Sequence, residues 1–482
     1  MIAEQTDAKE VFRFFKEICN IPHGSGNTAQ ISDYLVAFAK ERHLFYQQDA
    51  MGNVIIIKEA SKGSESRQPL MIQGHMDMVT VQKPDCSIDM KKEGLRLKEK
   101  DGFLYAEGTS LGGDDGIAVA IGLALLNDEQ LQHPRLELVV TVDEEVGMEG
   151  AHEIDLSVCT ANRMLNLDHD EEDTFLCGCA GGAKVSLTLP LQMMQPMGNQ
   201  ECYTIKLGGL QGGHSGTEID KGHGNANCLL GRVLFAINQQ VTISLVAISG
   251  GVADNAIPRE TSASFVVNDS NWKGSIEAIC KKLEEELQQE WKVKEPRLQL
   301  SAAKITGQKS FATTEDTDKA ICLLCSVPNG VQQMSAEIEN MVETSLNLGI
   351  ISLYEGNLTM EFAVRSSVES AKKELVNRLK AVARLSGASC KITGEYPGWE
   401  YKEDSQLRRQ LSEVYEKEYG QKPQIKTIHA GLECGVLIQK KPNLDCVAAG
   451  PEVLAIHTTE ERLNIMSTVR FYHFVRTFIE EY

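Results

Sequence analysis

Short β-forming runs alternate with segments of helical apolar spacing through the first 170 residues, and this alternation limits the architecture more than any other feature. Residues 7–19 and 31–41 carry apolar side chains at helical intervals, and Asn-Val-Ile-Ile-Ile-Lys (53–58) has the texture of a buried strand. A small-residue helix is expected from Ile117 to about Asn127, followed by two short β-rich runs at 136–142 and 164–167. Strands alternating with helices give an α/β sheet with helices on both faces. From about residue 190 to 395 the texture changes to longer strand-like runs, interleaved with amphipathic stretches at 273–291 and 370–385. That pattern is α+β with mostly antiparallel strands. After about residue 396 the α/β character returns, with a helix at 407–419 and a strand in Asn-Leu-Asp-Cys-Val-Ala-Ala-Gly (443–450). The expected organisation is a first domain in two parts, 1–189 and 396–482, with a second domain, 190–395, inserted between them.

The run Met-Ile-Gln-Gly-His-Met-Asp-Met-Val (71–79) opens as a core strand and then breaks into glycine, histidine and aspartate. Other acidic or imidazole side chains come just after the carboxyl ends of the remaining predicted strands: Asp114 and Asp115 after a Gly-rich loop, Glu144 and Glu145, Asp168, and His457. Open α/β sheets bind ligands at such strand ends. Any one of these residues alone is most simply a turn residue or a solvated strand end; five clusters at successive strand ends point to a site. Imidazole and carboxylate donors suit zinc, with manganese or cobalt as substitutes, and a pair of ions needs a bridging carboxylate plus about two further ligands each. His75, Asp114, Glu145, Asp168 and His457 supply that set. Alternate strand residues share a face, so Asp77 is placed to accept the second ring N–H of His75 and fix its tautomer. Glu144 and Glu145, read as neighbours on extended backbone, point apart, so one is expected to ligate and the other to serve as general base.

The segments Gly-His-Met-Asp-Met-Val, Gly-Gly-Asp-Asp-Gly, Thr-Val-Asp-Glu-Glu-Val-Gly, Leu-Asn-Leu-Asp-His-Asp, Gly-Gly-His-Ser-Gly, Asn-Ala-Ile-Pro-Arg-Glu and His-Ala-Gly-Leu-Glu-Cys-Gly, with the late histidine, resemble the di-zinc metallo-exopeptidase family over nearly the whole chain. Within it the resemblance is to the bacterial aminoacylhistidine (Xaa-His, carnosine-type) dipeptidases. It implies a catalytic domain with a central mixed sheet flanked by helices and an inserted α+β lid domain. It also implies two zinc ions: His75 and Asp168 on one, Asp114 bridging, Glu145 and His457 on the other, with Asp77 orienting His75 and Glu144 as general base. Asp115 is then a neighbour rather than a ligand. On the lid, His214 is implied to hold the substrate carbonyl oxygen, in its own or a partner subunit's site, with Asn255 on the same surface. Arg365 is placed either to grip the substrate's terminal carboxylate through a bidentate contact or as a lid-surface arginine, and His429 and Glu433 are expected to line the substrate end. The late histidine departs from the usual Gly-Pro-His context, standing in Leu-Ala-Ile-His457 with Gly450-Pro451 upstream. A homodimer that hydrolyses short peptides, dipeptides with C-terminal histidine foremost, is implied. A tripeptidase, an N-acyl amino acid deacylase and a non-catalytic binding protein of the same fold are the alternatives.

Composition narrows the setting. The 482 residues are 42% hydrophobic and 24% charged, enough for two or three globular domains. A net charge of −20 disfavours nucleic acid and anionic membranes as partners. No apolar stretch is long enough to span a bilayer, and the acidic N-terminus lacks a signal peptide's basic and apolar regions, so a cytoplasmic protein is expected. Thirteen cysteines without framework spacing fit a reducing compartment. Cys177-Gly-Cys179 and Cys322-Leu-Leu-Cys325 are expected to pack in the core, and no Gly-x-Ser-x-Gly elbow supports a serine nucleophile.

Overall fold

The computed structural model describes residues 3–196, 201–269, 272–306 and 309–482; Met1 and Ile2, where the N-terminal reading begins, lie outside them. The chain forms two compact units, one of residues 1–179, 399–427 and 432–482, the other of 180–398 and 428–431.

An eight-stranded mixed sheet organises the first unit, in the order Phe45–Gln48, Val54–Lys58, Leu136–Thr141, Leu70–His75, Arg163–Asn166, Asp445–Ala448, Thr174–Cys179, Gln424–Ile428. Its centre is parallel, with Leu70–His75 between Leu136–Thr141 and Arg163–Asn166. Leu70–His75 and Leu136–Thr141 are buried at every position, which is why they read as continuous apolar runs rather than alternating ones. The helix Gly113–Asn127 packs against Leu70–His75 and in turn receives Lys9–Cys19. Phe14, Phe15, Phe175, Phe471, Phe474 and Phe478 lie in this unit's core. A four-stranded sheet, Val453–Leu454, Arg462–Asn464, Phe103–Ala106, Leu97–Lys100, carries the loop that holds His457.

The second unit is built on a nine-stranded sheet whose paired strands all run antiparallel, with its own core around Phe265 and Phe362. The helix expected from residue 273 begins at Ile276, because the Ser275 hydroxyl accepts the Ala278 N–H and caps it. One expectation fails here. Cys322 and Cys325 are exposed, since the buried side of Thr314–Ser326 is made by Thr317, Ala320, Ile321, Leu323 and Leu324. Cys177 and Cys179 are buried.

Candidate metal centre

The three central parallel strands end side by side, with His75 opposite Thr141 and Gln73 opposite Asn166, so the loops leaving their carboxyl ends emerge at one edge of the sheet. Gly74 allows the Gly113–Asn127 helix to close on this edge: an added Cβ would lie 2.5 Å from Asp115 Oδ2 and 2.7 Å from Ala118 Cβ. Asp115 Oδ2 then accepts the His75 backbone N–H at 3.2 Å.

His75 is 1% exposed. Its Nδ1 faces both the Asp77 backbone oxygen at 3.0 Å and Asp77 Oδ1 at 3.4 Å, which makes Nδ1 the protonated nitrogen and turns Nε2 toward the acids. Nε2 lies 3.2 Å from Asp114 Oδ1 and 4.0 Å from Asp168 Oδ1. The other Asp114 oxygen, Oδ2, is 3.1 Å from His457 Nε2, and that nitrogen is also 2.8 Å from Glu145 Oε1. One carboxylate therefore presents each of its oxygens to a different imidazole. Donor atoms of His75, Asp114 and Glu145 lie within 4.8 Å of one another, as do those of His75, Asp115 and Asp168.

Asp77 is fully buried and does more than orient His75: it accepts the Ser25 hydroxyl at 2.8 Å and the Glu144 and Glu145 amides at 3.1 and 3.4 Å. Burial would raise its carboxyl, yet the His75 ring and these donors hold it below the usual carboxylate range. The glutamates do not sit on extended backbone as expected. The strand ends at Thr141, and Glu144–Gly147 is a turn closed by Gly147 and Met148 N–H groups on the Glu144 carbonyl. That turn sends Glu145 to His457, while Glu144 senses the charges of His75, Asp168 and Glu433.

The electrostatics are those of an acid cluster with too few cations. Burial, with nearby negative charge, pushes the carboxyls of Asp115, Asp168 and Glu144 well above their ordinary range. Asp114 is driven the other way: burial opposes ionisation, but the His457 and His75 rings override it. Hydrogen bonds to Asp114 and Glu145 raise the His457 ring to about 10. For His75 burial opposes the charged form, and the Asp114 and Asp77 contacts win. Divalent ions satisfy such a donor set, being held by imidazole nitrogen and carboxylate oxygen while offsetting the repulsion.

Glu433 departs from expectation: it is completely buried rather than lining a substrate surface. Its Oε2 accepts Gln73 Nε2 and the Thr141 hydroxyl, both at 2.6 Å, and burial raises its carboxyl to about 7. Gln73 Oε1 accepts Asn166 Nδ2 at 2.6 Å, and Asn166 Oδ1 accepts the Asp168 N–H at 3.3 Å, so the network runs beneath the acids to Asp168. A glutamine inside an otherwise apolar strand was the signal in the sequence for this layer.

The remaining candidates lie in the second unit. His214 pairs with Ala256 across a short two-stranded ribbon, and Ser215 N–H donates to the Asn255 carbonyl at 2.8 Å. The Gly216 and Thr217 amides both donate to His214 Nδ1, leaving Nε2 as the protonated nitrogen. Burial, then the Arg365 charge, keeps this ring neutral by lowering its pKa. Arg365 is buried, its Nη1 donates to the Tyr396 hydroxyl at 3.2 Å, and it has no carboxylate partner among the described residues. His429 contacts the Ser345 hydroxyl at 2.7 Å through Nε2, and burial with Arg365 nearby lowers it to about 3.

The sequence profile of peptidase family M20/M25/M40 matches residues 71–481, and the chain belongs to this family. It is accordingly a peptide-bond hydrolase of a metal-dependent family. The cytosol non-specific dipeptidase of Escherichia coli is 34% identical over 477 residues, covering 99% of this chain and 98% of that one. The crystal structure of aminoacylhistidine dipeptidase from Vibrio alginolyticus superposes with a TM-score of 0.92 at 33% identity, over 99% of this chain and 97% of that one. An aminopeptidase from Bacillus cereus shares the fold at a TM-score of 0.57 and 16% identity, over 99% of each chain.

Proposed function

We propose that this chain is a cytoplasmic dipeptidase that uses two zinc ions, with manganese or cobalt as substitutes, and prefers dipeptides ending in histidine. The observation that carries the reading is the split Asp114 carboxylate, one oxygen 3.2 Å from His75 Nε2 and the other 3.1 Å from His457 Nε2. In this reading His75 and Asp168 would hold one ion, Glu145 and His457 the other, and Asp114 would serve both. Held by these residues, divalent ions would supply a Lewis acid for the scissile carbonyl and an attacking water whose pKa would fall from about 15.7 toward about 7.

The chain's own groups do the rest. Asp77 holds His75 in the tautomer that presents Nε2. Glu144, half-buried beside His75 and Asp168, would be kept ionised by the charge of bound ions and is suited to take the proton of the attacking water and return it to the leaving amine. A neutral His214 protonated at Nε2 suits donation to a carbonyl or oxyanion oxygen, and the guanidinium of Arg365 suits a terminal carboxylate. Asn255 and His429 are assigned to substrate binding, and a homodimer to the functional state, on the family resemblance.

Glu144→Ala is the direct test. Hydrolysis should fall by a factor of about 10²–10⁴ with metal content still near two per chain; an active variant would reject the base assignment. A panel of β-alanyl-histidine, other dipeptides, tripeptides and N-acetyl amino acids tests specificity. The name of the Escherichia coli relative favours a broader dipeptidase, and equal turnover of dipeptides with and without C-terminal histidine would decide for that second reading.

A further inference from the structure

Glu461 is 2% exposed and lies four positions beyond His457. It accepts hydrogen bonds from four consecutive backbone amides about 350 positions away. Leu111 and Gly112 donate to Oε2 at 2.8 and 3.2 Å, and Gly113 and Asp114 donate to Oε1 at 2.8 and 3.4 Å. These amides precede the regular part of the Gly113–Asn127 helix, since the backbone at Asp114 and Asp115 is not helical, and Glu461 supplies the acceptor that a helical turn does not. Gly112 makes the convergence possible. Its φ is +68°, and an added Cβ would lie 2.8 Å from Met78 Sδ.

The other end of the link is equally constrained. His457 has a φ of +60°, sparsely populated for a residue with a side chain, and it stands on the hairpin between Val453–Leu454 and Arg462–Asn464. Glu461 closes this hairpin loop, its own N–H donating to the Thr458 carbonyl at 3.3 Å. One side chain thus ties the loop that presents Asp114 to the loop that presents His457.

We propose that Glu461 is a positioning residue that sets the spacing between Asp114 and His457, so that its loss weakens the metal ion these two residues share with Glu145 more than the ion beside His75 and Asp168. This rests on the two-metal reading above. The effect is selective because the other ion's remaining contacts come from strand ends and the Asp77 network, which Glu461 does not touch.

The test is zinc binding by competition with a chromophoric chelator, fitted to two equivalents, on wild-type protein, Glu461→Ala and the isosteric Glu461→Gln. Cobalt-substituted spectra report the geometry of each ion, and circular dichroism of the metal-free variants reports folding. Glu461→Gln should bind one equivalent about 10–100-fold more weakly, with an altered band for one cobalt and the other equivalent near the wild-type affinity. Two equivalents held as in wild type, or both weakened by the same factor, would overturn the proposal, and the Gln variant decides should Glu461→Ala fail to fold. Wild-type protein that binds fewer than two ions would instead overturn the two-metal reading beneath it.

Discussion

Asp77 shows how much one side chain can carry in this site. It holds His75 through the ring and, through two amides, the turn bearing Glu144 and Glu145. Asp77→Asn turns one acceptor oxygen into a donor facing groups that themselves donate. Activity at saturating zinc should fall by about 10–100-fold, read as kcat/KM on a dipeptide; an unchanged value would confine Asp77 to scaffolding. The sequence made the pairing with His75 legible, because two residues apart on a strand is a local relation. It did not reveal the amide contacts, which join positions 67 and 68 apart. Glu433 was legible only as a residue near the site, since its burial depends on Gln73 and Thr141 from strands far away in sequence. Its chemistry gives a pH prediction for the metal-free protein. The folded carboxyl titrates near 7 and the unfolded one near 4.5, so the stability it contributes is complete below about 4.5 and is lost as pH rises through 7. The loss is on the order of 3 kcal/mol. Glu433→Gln keeps an acceptor for Thr141 and Gln73 without that loss. Its denaturation midpoint relative to wild type should therefore climb between about pH 4.5 and 7.5, and parallel profiles would refute the assignment.

At the scale of elements, the site depends on one turn whose support lies outside it. Asn53, 1% exposed, accepts the Val142 N–H at 3.0 Å and donates to the Gly150 carbonyl at 3.0 Å and to Asp49 Oδ2 at 2.6 Å, gripping both ends of the segment that carries the glutamates. Asn53→Ala leaves buried backbone groups unsatisfied and should cost about 1–3 kcal/mol of stability by denaturant unfolding, with kcat lowered as well. Full activity in a destabilised variant would show that the turn holds its shape unaided. The strands and helices themselves were readable because periodicity is a local property: the apolar runs at 53–58 and 136–142 became buried strands of the central sheet. Turns were less readable. Nothing in Thr-Val-Asp-Glu-Glu-Val-Gly announces that the strand stops at Thr141, where pairing with Leu70–His75 ends. In the Thr314–Ser326 helix the two cysteines stand three apart on the outward face, so a stricter count of helical spacing would have placed them at the surface.

At the scale of the molecule, the two units have separate cores, and every residue assigned to the metals belongs to the first. Separate cores give the units separate cooperative transitions to the extent that each is stable by itself. An ion that binds only folded protein stabilises it by about 4 kcal/mol when present at about a thousand times its dissociation constant. Two such ions contribute about 8 kcal/mol, which in a unit of this size corresponds to roughly 20 °C. Scanning calorimetry before and after chelation should therefore show one transition moving down by roughly 20 °C and recovering with zinc, while the transition of the second unit stays in place. A shift shared equally by both transitions would mean that the ions stabilise the second unit too, and would count against placing all their ligands in the first.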